Sequence, residues 1–332
     1  MGSFLATTDW RDAVLAPLAG DASGRRYFRL QRGRDRAVLM DADPARGERV
    51  DRFLAVGRWL LSNRYSAPVI FSEDTVRGFL LLEDLGDGLF ARLVAASPHE
   101  ELGLYRGATD FLADLHRHAP PDFLPHADGK ALADLVELTR KWYLPGIDAA
   151  PNLAADRIAA TVMALYDRLN DTPPVVSLRD FHAENLIWLP KRTGVARIGL
   201  LDFQDAFAAH PAYDLVSLLQ DARRDVSPVV EAACVTHFVN LKRLDPSRFS
   251  AIYALLGAQR ALRIIGVFAR LSMHFGKVQY LEFAPRVWGY LDRNLTHPAL
   301  AELAVLVQKG LPEPNPERLQ RIADKCASFP NP

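Results

Sequence analysis

The sequence holds only two cysteines in 332 residues, Cys234 and Cys326. They lie far apart and in no metal-ligand spacing, which argues against a disulfide framework or a zinc site and fits two reduced thiols in a cytoplasmic protein. An excess of either charge is lacking too, since forty basic residues balance forty acidic ones. No global field draws the chain to nucleic acid or to an anionic membrane, so neither is expected as a partner. No apolar run reaches the ~18 residues of a membrane span. The most apolar stretch, Ala254 to Leu271, is interrupted by Arg260, Arg263 and Arg270 and reads as a buried amphipathic helix. Residues 1–10 lack a basic segment followed by an apolar one, so no signal peptide is expected. Neither Gly-x-x-x-x-Gly-Lys-Ser/Thr nor Gly-x-Gly-x-x-Gly occurs, which excludes a P-loop NTPase and leaves a dinucleotide fold without support.

What is present changes texture along the chain. Arg25 to Leu30 alternates with Phe28 and Leu30 on one face, Gln31 to Asp35 is a turn, and Ala37 to Met40 is a second strand, together a hairpin. Val50, Phe53, Leu54, Gly57 and Leu60 recur at helical spacing over Arg49 to Leu61. Pro68 to Phe71 and Gly78 to Leu82 read as further strands. From Glu100 onward helical periods dominate: a helix stopped by Pro120 and Pro121, then Ala131 to Trp142 and Ala154 to Leu169. A strand, Pro174 to Leu178, precedes a polar segment, and Leu186 to Leu189 with Arg197 to Leu201 forms a second hairpin. The expected class is α+β: a small β-rich lobe over 1–83, a connector near Glu83 to Gly88, and a large, mainly helical lobe over 84–332 with an embedded hairpin. A cleft between such lobes would suit a small ligand.

The densest polar signal is Leu178-Arg179-Asp180-Phe181-His182-Ala183-Glu184-Asn185, followed by Leu200-Leu201-Asp202-Phe203. The hairpin is expected to return Asp202 to the side of Asn185. Phosphoryl transfer needs such a set: one carboxylate to accept the proton of an attacking hydroxyl, and an amide oxygen with a second carboxylate to hold Mg²⁺ against nucleotide phosphates. The spacing matches the catalytic loop and metal-binding aspartate of protein kinases. Asp180 is therefore the expected base, with Asn185 and Asp202 as metal ligands. His182 could orient Asp180 or touch substrate, and Arg179 could steady transferred phosphate or neutralise Asp180.

With His two residues beyond the catalytic Asp, Asp180-Phe181-His182 resembles the aminoglycoside phosphotransferase and choline kinase superfamily, which has the two-lobed, protein-kinase-like fold. Leu81-Leu82-Glu83-Asp84-Leu85-Gly86 is similar to that superfamily's interlobe hinge, which implies adenine pairing with the backbone at Glu83 and Leu85. Within it, Asp21-Ala22-Ser23-Gly24-Arg25-Arg26-Tyr27-Phe28-Arg29, Leu201-Asp202-Phe203-Gln204-Asp205-Ala206 and His210-Pro211-Ala212-Tyr213-Asp214-Leu215 resemble a bacterial branch, the anomeric N-acetylmuramate/N-acetylglucosamine kinases of cell-wall recycling. The resemblance implies ATP and Mg²⁺ as cofactors and an amino sugar as substrate. It implies Ser23 and Gly24 at the nucleotide phosphates, Gln204 and Asp205 facing sugar hydroxyls, and Asp214 bracing the catalytic loop. Trp142 and Tyr143 are candidates for an aromatic platform under the sugar, against the plainer reading that they pack in the core.

One departure from the protein-kinase pattern stands out. The third-strand lysine that holds nucleotide phosphates is missing, and Met40 occupies its place in Ala37-Val38-Leu39-Met40. Arg26 and Arg29, with Arg25 as a third, are the candidate replacements, and Glu48 is a candidate partner for one of them. The missing lysine motivates a rival reading, a nucleotide-binding pseudokinase serving as an interaction module. A second rival keeps the fold but takes an aminoglycoside or choline as acceptor. A monomer or weak dimer is expected.

Overall fold

The computed structural model describes residues 1–18 and 24–329. Asp21, Ala22 and Ser23, expected at the nucleotide phosphates, lie outside the described residues. Packing divides the chain into two units, Met1–Phe111 with Ala183–Ala206, and Leu112–His182 with Phe207–Pro332. This differs from the expected boundary at residue 83. The 186–201 hairpin and the connector belong to the first unit because they are stitched to it: Ser66 bridges Gly199, Leu89 bridges Ile187, and Phe203 stacks on Phe53 with ring centroids 4.8 Å apart.

The first unit is built on an antiparallel five-stranded sheet of order β1-β2-β3-β5-β4. Its strands are β1 (Val14–Pro17), β2 (Arg26–Arg32), β3 (Asp35–Asp41), β4 (Ile70–Asp74) and β5 (Phe79–Glu83). The β2–β3 turn pairs Arg32 with Asp35. Only Gly33 within it has positive φ, +58°, as in a type II′ turn, where glycine avoids the penalty of a Cβ. β1 has no counterpart among the expected strands. Its four residues are exposed and it ends in Pro17, which an edge strand tolerates.

Period-2 alternation gives this sheet two distinct faces. On one, Leu30, Ala37, Leu39 and Leu81 pack with Phe4, Leu5, Trp10 and Phe79, with Phe28 against them. Each buried leucine or phenylalanine among them contributes roughly 1.5–3 kcal/mol by leaving water. The cross-strand register pairs Tyr27 with Met40 and Arg29 with Val38, and Met40 with Leu80, so these side chains share the other face.

The second unit is helical around Pro246–Met273, a 28-residue helix. Its length and hydropathy would suffice to cross a membrane, but 78% of its most apolar window is buried in the fold. Gly266 permits a close crossing: a Cβ there would lie 2.3 Å from the Leu138 carbonyl carbon. A two-stranded sheet of β6 (Val175–Ser177) and, beyond the hairpin β7 (Leu186–Trp188) and β8 (Ile198–Leu200), β9 (Phe207–Ala209) carries the polar 178–185 segment out of the helices.

Candidate active site

In the second unit, β6 runs into Leu178, Arg179 and Asp180. Arg179 has φ of 71°, a left-handed conformation that costs a residue with a Cβ about 1 kcal/mol and survives only where the surroundings enforce it. Asp214, in the first turn of the Ala212–Leu219 helix, supplies that enforcement. Its Oδ1 accepts from Ser177 Oγ at 2.7 Å and from the Arg179 N–H at 2.9 Å, and its Oδ2 accepts from the Leu178 N–H at 2.5 Å. Complete burial pushes Asp214 up to about 6 despite these donors and the nearby Arg260. Arg260, 6% exposed inside the long helix, donates to the Arg179 carbonyl at 3.2 Å and to Ser217 Oγ at 2.6 Å, with its guanidinium 4.9 Å over the Tyr213 ring.

Asp180 follows this braced turn. Burial alone would raise its pKa, but the guanidinium groups of Arg263, Arg179 and Arg260 outweigh it and hold the carboxyl below the usual carboxylate range. The carboxyl is therefore ionised well before neutral pH. Arg179 extends over the Phe207 ring, 5.8 Å from its centroid. His182 is buried, and its Nε2 lies 2.8 Å from Arg223 Nη1. Arginine can only donate, so Nε2 accepts and the imidazole is neutral in this arrangement. Burial first, and Arg223 with it, lowers its pKa in spite of Asp221 and Asp180. His182 is thus a fixed neighbour of Asp180's charge rather than a second titrating base near pH 7.

In the first unit, β7 and β8 pair Leu186 with Leu200, and the Leu201 N–H donates to the Asn185 carbonyl at 2.9 Å. The hairpin thereby brings the chain at Asp202 back beside Asn185, as expected. Asp202 also adopts a left-handed φ, 52°. Arg52 secures the turn beyond it by donating to the carbonyls of Gln204 at 3.0 Å and Ala206 at 2.7 Å. Gln204 departs from expectation. It is 6% exposed and its amide nitrogen donates to Asp202 Oδ1 at 2.8 Å, so it steadies the carboxylate rather than presenting itself to a sugar. Asp205 is exposed.

The nucleotide-side expectations separate by face. Arg26 lies on the face opposite Tyr27 and Met40, paired with its cross-strand neighbour Asp41. That position removes it from the place a third-strand lysine would fill. Arg29 shares the Met40 face but is committed to the connector, with Nε 2.7 Å from Asp84 and Nη1 2.9 Å from Asp87. Met40 is fully buried and Leu85 nearly so. Glu83 accepts from Arg192 through its side chain. The Gly24 N–H donates to Glu48 Oε1 at 2.9 Å, and Arg25 Nε donates to Glu48 Oε2 at 3.0 Å. The platform reading of Trp142 and Tyr143 is corrected: they are 2% and 1% exposed, in a π-helical turn, Thr139–Tyr143. The Tyr143 hydroxyl donates to the Pro312 carbonyl at 2.6 Å. Both are core residues.

Sequence reading missed Arg52, Ser177 and the bracing role of Arg260. The signal for Arg260 was available, since a charged residue on the apolar face of a buried helix needs a partner.

The phosphotransferase enzyme family profile matches residues 14–246. The chain belongs to this family. A curated phosphotransferase relative, the N-acetylmuramate/N-acetylglucosamine kinase of Caulobacter vibrioides, is 38% identical over 350 aligned positions, covering 93% of this chain and 95% of that one. The Pseudomonas putida enzyme of the same name is 32% identical over 88% of this chain and 87% of its own. Among solved structures, a microcompartment-associated aminopropanol kinase superposes with a TM-score of 0.63 at 16% identity, covering 90% of this chain and 98% of that one. An ADP-bound aminoglycoside phosphotransferase does so with 0.59 at 16% identity over 90% and 93%. These neighbours share the α+β, kinase-like fold, and a phosphotransferase of this family is an enzyme.

Proposed function

We propose that this phosphotransferase moves the γ-phosphoryl group of ATP to the anomeric hydroxyl of an N-acetylated amino sugar, N-acetylmuramate or N-acetylglucosamine, for reuse of cell-wall sugar. The observation that carries the chemistry is Asp180, a carboxylate kept ionised by surrounding cations at the end of a strained, braced turn. Asp180 would accept the proton of the attacking hydroxyl as the sugar oxygen bonds to the γ-phosphorus. The bond from that phosphorus to the β–γ bridging oxygen breaks, and ADP leaves. An anomeric hydroxyl is more acidic than an ordinary alcohol, so a base of depressed pKa suffices.

Asn185 and Asp202 would hold Mg²⁺, and the donor set suits it: hard oxygens, with one or two protein ligands completed by nucleotide phosphates. No group of three or more His, Cys, Asp or Glu side chains with metal-site geometry occurs among the described residues, which leaves this pair as the candidate. When bound, the ion neutralises charge on the transferring phosphates. Gln204 and Arg52 would keep Asp202 aimed, and the backbone at Glu83 and Leu85 would pair with adenine.

The acceptor assignment leans on the names of the two relatives and on charge. Arg179, Arg260 and Arg263 surround Asp180, and Arg270 is repelled by Arg263 and Arg179. A polycationic aminoglycoside or the quaternary ammonium of choline would meet like charge here, whereas a neutral or anionic amino sugar would not. Radiolabelled ATP with N-acetylmuramate, N-acetylglucosamine, kanamycin and choline tests this. Label is expected on the amino sugars. Label on kanamycin or choline and on neither sugar overturns the acceptor, and label on none favours an interaction module.

A further inference from the structure

The third-strand lysine is missing, yet phosphate charge needs a cation, and the first unit holds one arginine poised differently from its neighbours. Arg25 immediately precedes β2 and lies in the period-2 series with Tyr27 and Arg29, the series whose cross-strand partner is Met40. Its side chain is 10% exposed. Nε is held by Glu48 at 3.0 Å, and the other Glu48 oxygen holds the Gly24 N–H at 2.9 Å. Nη1 points towards Asp202 but stops 3.8 Å from Oδ1, too far for a hydrogen bond. It is buried and makes no hydrogen bond of its own among the described residues, while the Tyr27 hydroxyl lies close enough to the guanidinium to favour its charge. A buried guanidinium donor without an acceptor is costly, and this one is aimed at the carboxylate assigned to the metal.

We infer that Arg25, fixed by Glu48, is the cation that holds the nucleotide phosphates in place of the missing lysine. In protein kinases a third-strand lysine pairs with a glutamate on the following helix. Here both partners have moved while keeping their relationship: the cation enters from the start of β2, and the carboxylate from the segment just before the Asp51–Ser62 helix. Arg26 is excluded by its face and its bond to Asp41, and Arg29 by its two carboxylate partners. Burial works against Arg25's charge, but the Tyr27 hydroxyl as an acceptor and the carboxylates of Glu48 and Asp202 favour it, so it stays protonated at any working pH. A planar guanidinium can hold Glu48 along one edge and present the other to phosphate oxygens, which a lysine could not do at once. Arg25 also keeps Glu48 engaged, and through it the Gly24 backbone. One side chain thus ties the loop end to the segment before the helix and faces the metal carboxylate.

The inference rests on the ATP reading of the site, and the test separates the two. Calorimetric binding of ADP with Mg²⁺, and of adenosine alone, is measured on the full chain and on Arg25→Gln, Arg25→Lys, Glu48→Gln and Arg26→Gln. Loss of a charge-assisted phosphate bond is expected to weaken ADP about 10- to 100-fold in Arg25→Gln. Adenosine, which has no phosphate, should bind unchanged, which also reports that the variant is folded. Arg25→Lys should recover part of the loss, and Glu48→Gln should show a smaller loss in the same direction. Equal ADP affinity in Arg25→Gln and the unaltered protein overturns the inference and leaves the kinase reading standing. So does a larger loss in Arg26→Gln than in Arg25→Gln, or a parallel loss of adenosine. Failure of the unaltered protein to bind ADP overturns both.

Discussion

Replacing Asp214 by asparagine tests whether the catalytic loop is held by one buried carboxylate. Its two oxygens receive three donors, and two of these are backbone N–H groups with no other route to satisfaction. An asparagine keeps one carbonyl oxygen, which can serve Ser177 and Arg179, but it sets an amide N–H₂ against the Leu178 N–H. One buried backbone donor is then left unsatisfied, at about 1–3 kcal/mol, and Arg260 loses its countercharge. Across a unit of about 200 residues, each kcal/mol lowers Tm by about 2–4 °C, so a fall of about 2–12 °C is expected by calorimetry. Activity should fall further than stability explains, because Arg179 would relax from its left-handed φ and carry Asp180 with it. Ser177→Ala removes a side-chain donor and strands no backbone group, so it should cost about 1 kcal/mol and leave kcat within a few-fold. The bracing account is refuted if Asp214→Asn melts with the unaltered protein and turns over at the same rate, or if Ser177→Ala is the more damaging change.

Asp180→Asn should reduce kcat by at least ~10² with little change in Tm, and equal rates would remove Asp180 from the role of base. His116 and His210 are buried neutral, burial pushing them down to about 3 and about 4, below the ~6.5 of an unfolded chain. Between those values the unfolded chain binds more protons, so stability falls as pH drops through 6.5. Each histidine should cost about 2 kcal/mol between pH 7 and pH 5, offset by about 1 kcal/mol from Asp214, whose raised pKa acts in the opposite direction. Urea unfolding at the two pH values checks this, and a His116→Gln protein with an undiminished pH dependence would contradict it. Trp142→Ala should cost about 3–5 kcal/mol as a core truncation. A selective rise in acceptor KM with unchanged stability would restore the platform reading.

The parts legible in the sequence were those with local causes. The β2–β3 hairpin announced itself through Phe28 and Leu30 alternating across a glycine turn, and the β7–β8 hairpin predicted the return of Asp202 to Asn185. β1 was not legible, because its four exposed residues carry no apolar alternation and pairing with β2 alone makes it a strand. Trp142 and Tyr143 fell at the end of an expected helix, and nothing local distinguishes an aromatic residue facing a ligand from one facing His274 or Pro312. The packed units differ from a division at residue 83 because hydrophobic period describes what an element is, while contacts such as Phe203 on Phe53 decide which unit holds it. The choice among Arg25, Arg26 and Arg29 needed the register, which assigns adjacent residues to opposite faces.

Phosphorus NMR of the product tests the central claim most directly. The protein is incubated with ATP, Mg²⁺ and N-acetylmuramate or N-acetylglucosamine, and the new resonance is examined for coupling to the anomeric proton. The account requires a sugar 1-phosphate with that coupling, formed one for one with ADP and lost in Asp180→Asn. A phosphate on any other hydroxyl, or ADP released with no phosphorylated sugar, would contradict it.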